Sequence, residues 1–364
     1  MILSMRCILG VVLVASAPAI ESFSSDEICA VKGKSMIQLR NDRDIQQHTE
    51  HESEFRHAQK LEGMDSVRIL QHLVQHAPPD LVGSFNNMAV NLGAGDGRAF
   101  IPGMNCSIFD CDGPENDPVY PMYTYLHFGG LAVEGDPAWE RQLNQNLPAA
   151  NVTKMISMIT PDNVLSLLKE GNIPIDVDYF KNDIDGYDCA VNYAVLSAGY
   201  RPKMIQVEVN PEIPHPVAFG VNYGKHFKQP SFWTGFYGCS LTLTSGLIKR
   251  FGYQLVSTPL LHDALYVRND FMTGLEPLTD EATSIELGER FTKGAHHLGD
   301  LYSEWMKMTE EAGTAKTVEN VTAEITRACG LSQDTLPECQ VPFTVSLNPE
   351  DFVVQLNGIL AQSN

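Results

Sequence analysis

The chain is expected to adopt an α/β fold: a middle stretch that forms a parallel sheet, flanked by helical N- and C-terminal extensions. Three observations predict it. Val90-Asn91-Leu92-Gly93-Ala94-Gly95-Asp96-Gly97-Arg98 is an apolar strand that breaks into three alternating glycines. Leu131-Ala132-Val133-Glu134-Gly135-Asp136 is a second apolar strand, ended by carboxylates. From residue 85 to 272, strand-like and helix-like segments alternate between short Pro/Gly breaks, as βαβ units require.

Taken in order, residues 1–22 read as a signal peptide. Met1 to Arg6 carries one positive charge, Cys7 to Ala15 is an apolar run, and Ser16-Ala17-Pro18-Ala19 supplies small residues for cleavage. That run is too short to span a bilayer, and no later stretch reaches about 18 apolar residues, so no stable membrane insertion is expected. The expected location is the secretory pathway, lumenal or extracellular; an uncleaved anchor, or an organelle reached through the signal, is the alternative. Residues 23–84 form the N-terminal extension, which is polar and helix-prone over 35–77. Its histidines, His48, His51, His57, His72 and His76, share no single i, i+4 face, so a solvated helix pair is expected there rather than a metal site.

In the α/β stretch the strands are expected at Met88 to Leu92, Gly130 to Glu134, Thr153 to Ile159, Asp178 to Ile184, Lys203 to Val209, Tyr253 to Thr258 and Ala264 to Asn269. Helical patterns fall between them at Ala138 to Asn146, Pro161 to Lys169, Tyr187 to Ala198 and Ser240 to Phe251. Residues 273–364 show helical periodicity over Ile285 to Met308 and Val318 to Cys329. With the apolar Phe352-Val353-Val354, they suggest an extension packed on the core, and no chemistry is visible in it.

Composition narrows the function. At 364 residues with 43% hydrophobic content, the chain can bury one large core. A formal charge of −20, with no basic cluster longer than Lys249-Arg250, argues against nucleic acid as partner. Small molecules and protein or glycan acceptors stay open, and the oligomeric state is not readable. Beyond Cys7, the cysteines are Cys29, Cys106, Cys111, Cys189, Cys239, Cys329 and Cys339, an odd set that leaves a thiol unpaired. Cys106/Cys111 and Cys329/Cys339 are the expected local disulfides; Cys189 and Cys239, in apolar helical patterns, are expected as buried thiols. Sequons at Asn105, Asn151 and Asn320 would make a secreted chain a glycoprotein.

Glycines let a backbone approach a ligand closely, and a carboxylate ending the next strand can accept from ribose hydroxyls, which together suit a nucleoside-bearing cofactor. A dinucleotide turn, G-x-G-x-x-G, would need a small residue where Arg98 stands. The G-x-G-x-G run with Glu134 instead resembles the first motif of class I S-adenosylmethionine-dependent methyltransferases. Three further segments resemble landmarks of their FkbM-like branch: Ile159-Thr160-Pro161-Asp162-Asn163-Val164, Lys181-Asn182-Asp183-Ile184-Asp185-Gly186-Tyr187-Asp188, and Arg201 through Val207-Glu208-Val209-Asn210-Pro211. The likeness covers roughly the middle half of the chain and leaves both flanks outside.

The resemblance implies a Rossmann-like seven-stranded class I methyltransferase sheet with helices on both faces and S-adenosylmethionine as cofactor. Its contacts would come from Asn91, Gly93, Gly95, Gly97, Glu134, Asp136, Thr160 and Asp183. Two departures stand out. Asn91 occupies the position where many members carry an acid for the methionine amine; an amide still accepts that hydrogen bond but weakens the charge pairing. The connection from Gly97 to Leu131 is long, through Cys106, Cys111, Asp117-Pro118 and Tyr120-Pro121, and reads either as a lid over the site or as a disulfide-pinned surface loop.

Neighbouring parallel strands would bring Asp183, Asp185, Glu208 and Asn210 to one rim, where hard oxygens could hold Mg²⁺ or Ca²⁺ and lower an acceptor hydroxyl's pKa. The simpler reading makes Asp185 an N-cap for the next helix, with Asp188 in its first turn. His215, between Pro214 and Pro216, is the preferred general base among 11 histidines, with Asp183 as the second catalytic candidate. Ser240 should cap the helix it opens, with Tyr237 or Phe232-Trp233 lining an acceptor pocket. The implied function is methyl transfer to an oxygen of a small-molecule or glycan acceptor; the alternative is a noncatalytic secreted binding or structural protein that keeps the fold.

Overall fold

Strands that are apolar on both faces must be covered on both faces, and seven of them form one sheet. They are β1 (Met88–Leu92), β2 (Gly129–Glu134), β3 (Val152–Ile156), β4 (Tyr179–Asn182), β5 (Met204–Glu208), β7 (Tyr253–Ser257) and β8 (Asp263–Arg268). The computed structural model describes residues 66–97, 117–124, 126–147, 150–223, 237–259, 262–294, 318–319 and 343–363. The strand order is β3-β2-β1-β4-β5-β8-β7, and every neighbour pairs in parallel except β8, which runs antiparallel to both β5 and β7. All seven strands expected from the sequence are present. β3 stops three residues short of Ile159, and β8 starts at Asp263, one residue before its expected start.

The helices are α1 (Ser66–His76), α2 (Tyr120–Thr124), α3 (Glu140–Asn146), α4 (Val164–Glu170), α5 (Asp188–Ser197), α6 (Leu241–Lys249), α7 (Asp280–Gly294) and α8 (Pro349–Ser363). The period of two along the strands divides their side chains between two layers. Val90, Leu92, Val133, Phe180, Ile205, Val207 and Tyr266 join Val164, Leu168, Val191, Val195 and Leu247 of α4, α5 and α6 in the main core. On the other face, α1 and α2 cover the intervening positions: Ser66 donates to Gln206, and the Tyr123 hydroxyl donates to the carbonyls of Ala89 and Leu131 at 3.1 and 2.8 Å.

Helix α1 buries Ile69, Leu70, Leu73 and Val74, the stripe an amphipathic helix presents to a sheet. His72 is buried with them and contacts the Thr273 carbonyl at 3.0 Å, so this part of the N-terminal extension is packed rather than solvated. A second, two-stranded sheet was not anticipated: β6 (Ala218–Val221) pairs antiparallel with β9 (Phe343–Ser346). Ser240 ties β6 to α6, accepting from Phe219 N–H at 3.0 Å and Leu243 N–H at 3.3 Å and donating to the Val217 carbonyl at 2.8 Å. Phe352 and Leu356 of α8 enter the main core, so the C-terminal residues share it.

Cys189 and Cys239 correct an expectation. Packing of α5 against the segment before α6 brings them to disulfide distance, with Cα atoms 6.2 Å apart, instead of leaving two separate thiols. The expected signal peptide, the other cysteines, the sequons at Asn105 and Asn320, His48, His51, His57, Phe232-Trp233 and the Val318 to Cys329 pattern beyond residue 319 lie outside the described residues, as do residues 98–116 of the long connection. Asn151, of the remaining sequon, is exposed. No helix of the described residues is long and apolar enough to cross a membrane.

Candidate functional site

The glycine turn follows β1 at the carboxyl rim of the sheet. Gly93, Gly95 and Gly97 all have left-handed φ, at 80°, 53° and 71°, a conformation that costs L-residues and suits glycine. Gly93 and Ala94 both donate to the Val133 carbonyl at 3.0 Å, stitching the turn to β2. A Cβ on Gly93 would lie 1.7 Å from the Asp183 carbonyl oxygen, so the turn is pressed against the end of β4. Glu134 closes the other side: its carboxylate accepts from Gly95 N–H and from Asp136 N–H, each at 2.7 Å. Asp136 in turn caps the 3-10 turn Pro137–Trp139 by accepting from Ala138 N–H.

Asn91 lies directly behind this turn, fully buried. Its Nδ2 donates to Asp117 Oδ2 at 2.6 Å, while its Oδ1 has no hydrogen-bond partner. Asp117, 26 residues downstream, thus sets a buried carboxyl group against Asn91. Burial pushes the Asp117 carboxyl up to about 6, with Lys181 pulling the other way.

The second half of the site is the rim formed by β4, β5 and β8. Asp183, just past β4, pairs with Lys181 Nζ at 2.8 Å. Burial pushes the Asp183 carboxyl up, but Lys181 and His262 outweigh it and hold it below the usual carboxylate range. Glu208 ends β5 directly opposite Asp263, which starts the antiparallel β8. Burial, reinforced by Asp185, Asp183, Asp188 and Asp263, raises the Glu208 carboxyl well above its ordinary value. Candidate ligand atoms of Asp183, Asp185 and Glu208 all lie within 4.8 Å of one another, as do those of Asp183, His262 and Asp263.

Of the four residues expected at this rim, Asn210 has a different job. Its Nδ2 donates to the Tyr237 carbonyl at 3.1 Å and its Oδ1 accepts from Glu212 N–H at 3.0 Å, so both ends of the amide hold loop backbone. Asp185 is not an N-cap. Tyr187 occupies that position, without a side-chain cap bond, and Asp188 reaches back from the first turn of α5 to accept from Ile184 and Gly186 N–H, each at 3.0 Å. Thr160 sits half-buried in a turn closed by Asn163 Oδ1, beside the Asp162 carboxylate that accepts from the Tyr223 hydroxyl at 2.6 Å. His215 Nδ1 meets Thr242 Oγ1 at 3.2 Å, and its backbone N–H donates to Ser284 Oγ at 3.1 Å. Ser240 caps α6 as expected, and Tyr237 is buried beside Asn210.

Sequence reasoning passed over Asp117, Glu212, His262 and Asp263. Asp117 lay in a connection without periodicity. His262-Asp263 reads as the turn of the closing hairpin; only the adjacency of β8 to β5 puts its first residues at the same rim as the last residues of β5. Glu212 is fully buried, and neither carboxylate oxygen has a hydrogen-bond partner.

These buried acids set a pH dependence. Burial raises Glu212 to about 7 and Asp188 to about 8, the backbone N–H donors on Asp188 opposing. A folded carboxyl with a raised pKa keeps its proton where the unfolded chain has lost it. Its stabilisation is therefore complete below the unfolded value and is lost as pH rises through the folded one. The melting temperature is expected to fall from about pH 5 to about pH 8.5, and Glu212→Gln to recover roughly 3 kcal/mol at the alkaline end while changing little at the acid end. Thermal melts of both proteins across that range check it; a flat or rising wild-type profile would contradict it.

No model of a known protein family matches the chain, and no curated protein matches it either.

Proposed function

We propose that the chain is an S-adenosylmethionine-dependent methyltransferase of FkbM-like type, transferring a methyl group to an oxygen of a small-molecule or glycan acceptor. The observation that carries this reading is the left-handed glycine turn Gly93–Gly97 clasped by Glu134 at the carboxyl ends of β1 and β2, where open α/β sheets bind ligands. The seven-stranded, mostly parallel sheet, with its one antiparallel strand next to the edge, is consistent with a Rossmann-like fold and supports the same reading.

The residues present fit the cofactor. Asn91 Oδ1 is a buried acceptor in want of a donor, which suits the methionine ammonium, and Asp117 behind it supplies the charge that the amide lacks. Glu134 keeps lone pairs beyond its two backbone donors and suits ribose hydroxyls. When bound, S-adenosylmethionine supplies a methyl group activated by a sulfonium. In-line transfer then asks the chain chiefly for position. Asp183, held ionised by Lys181 at the same rim, is the residue best placed to orient an acceptor hydroxyl and take its proton. His215, which meets Thr242 and Ser284, is the second candidate for that role.

Calorimetric titration of the purified protein with S-adenosylmethionine tests the reading. Saturable heat, with affinity lowered at least about tenfold by Glu134→Ala and by Asn91→Leu, is expected, each lost charge-assisted hydrogen bond being worth about 1.5–3 kcal/mol. No heat and no thermal shift would leave the fold as a noncatalytic binding module.

A further inference from the structure

The β8 end of the rim carries a chemistry that the methyltransferase reading does not use. Asp263 is fully buried, and Gln206 Nε2 donates to its Oδ2. Gln206 is itself fixed by the hydroxyls of Ser66 and Tyr179, which both donate to its Oε1. The Asp263 carboxylate is thus held in one orientation by three elements on the α1 face. Its other oxygen, Oδ1, takes no hydrogen bond and stands 3.9 Å from His262 Nε2. A buried carboxylate oxygen left without a donor costs free energy unless a cation meets it.

Among the described residues of the rim, acids outnumber bases. Asp183, Asp185, Glu208 and Asp263 bring four carboxylates to one rim, and Lys181 is already paired with Asp183 at 2.8 Å. Ligand atoms of Asp183, His262 and Asp263 lie within 4.8 Å of one another, close enough for a single ion to touch all three. Val209 N–H donates to the His262 carbonyl at 2.6 Å, which fixes the backbone of that ligand to the end of β5. Gln206 plays the part of an outer-shell partner that aims a ligating carboxylate.

We propose that Asp183, His262 and Asp263 form a binding site for a borderline divalent metal ion of the Mn²⁺, Fe²⁺, Co²⁺ or Zn²⁺ class. One imidazole and two carboxylates suit those ions, whereas Mg²⁺ and Ca²⁺ prefer oxygen alone. Asp185 and Glu208, which share Asp183 as a neighbour, are at hand for further oxygen ligands. The site shares Asp183 with the methyltransferase reading, but His262 and Asp263 lie outside that reading, so metal binding can be measured without S-adenosylmethionine.

Full-length protein freed of metal and titrated with Co²⁺, without S-adenosylmethionine, tests it by calorimetry and by the visible absorption that protein-bound Co²⁺ acquires. One Co²⁺ per chain is expected, displaced by Zn²⁺ and not by Mg²⁺ at equal concentration. His262→Gln should weaken binding by at least about tenfold and change the absorption bands, while its melting curve without metal matches wild type. His127→Gln, away from the rim, should leave both readings unchanged. Gln206→Leu should weaken Co²⁺ binding about 10–100-fold by releasing Asp263. Absence of Co²⁺ and Zn²⁺ binding by the folded protein would overturn the site. So would binding that His262→Gln leaves intact or that Mg²⁺ displaces equally, since either points to the all-oxygen group Asp183, Asp185 and Glu208.

Discussion

Gly93→Ala should leave little folded protein. The added Cβ would stand 1.7 Å from the Asp183 carbonyl oxygen and 2.8 Å from its carbon, and backbone held in a parallel ladder cannot give way as a side-chain tip can. The φ of 80° adds strain that no L-residue escapes. A loss of more than about 4 kcal/mol is expected, at the extreme of single substitutions. Gly83→Ala is the matched comparison, since nothing lies within 4 Å of its added Cβ, and a change within about 0.5 kcal/mol is expected there. Soluble yield and thermal melts of the two variants decide the matter. If Gly93→Ala melts within a few degrees of wild type, the turn is not wedged against β4 as described.

The second large effect lies at the opposite end of the strands. Asp178 precedes β4 and Lys203 precedes β5; both are fully buried and pair at 2.8 Å. The Asp178 carboxylate also accepts from the N–H groups of Asn86 and Asn87, at 3.1 and 2.7 Å, while Lys203 Nζ donates to the Asp176 carbonyl and lies 5.3 Å from the centre of the Phe85 ring. This pair joins the chain entering β1 to the amino ends of β4 and β5. Asp178→Ala strands a buried ammonium and two amide donors and should cost about 3–5 kcal/mol. Lys203→Met should cost a similar amount, and the double variant clearly less than the sum, because neither charge is then left alone. Denaturant unfolding of the four proteins measures the coupling; strict additivity would show that the two side chains do not depend on each other. Because the pair lies at the far rim, whatever folds of Asp178→Ala should match wild type in the S-adenosylmethionine titration that tests the proposed function.

The sheet was legible because its strands are short apolar runs between Gly and Pro breaks, the signal least dependent on distant partners. What escaped depended on partners. Gly220 interrupts the apolar run of β6, whose mate β9 lies more than a hundred residues downstream, so neither segment announces a strand alone. The short break between the last two strands reads as a hairpin, as found, but no local pattern encodes which of the two lies beside β5, and that adjacency is what sets Asp263 opposite Glu208. Asn91 was recognisable as the position lacking an acid, but nothing adjacent to it pointed to Asp117. Cys189 and Cys239, 50 residues apart, became neighbours only through helix packing. The acids at Asp183, Asp185 and Glu208 were placed correctly on one rim because parallel strands end together. Asn210 followed them in sequence but turned toward loop backbone.

The pairing of β6 with β9 also bears on how the chain acquires its structure. Gly220 faces Thr344, a long loop closure, and the α8 residues Phe352 and Leu356 that follow β9 complete the layer over Phe219 and Leu243. Consecutive βαβ units can pair as they emerge from the ribosome, but this corner must wait until residues 343–356 have been synthesised. Until then the apolar surface of β6 and α6 is uncovered, and the nascent chain is open to association with other chains at that corner.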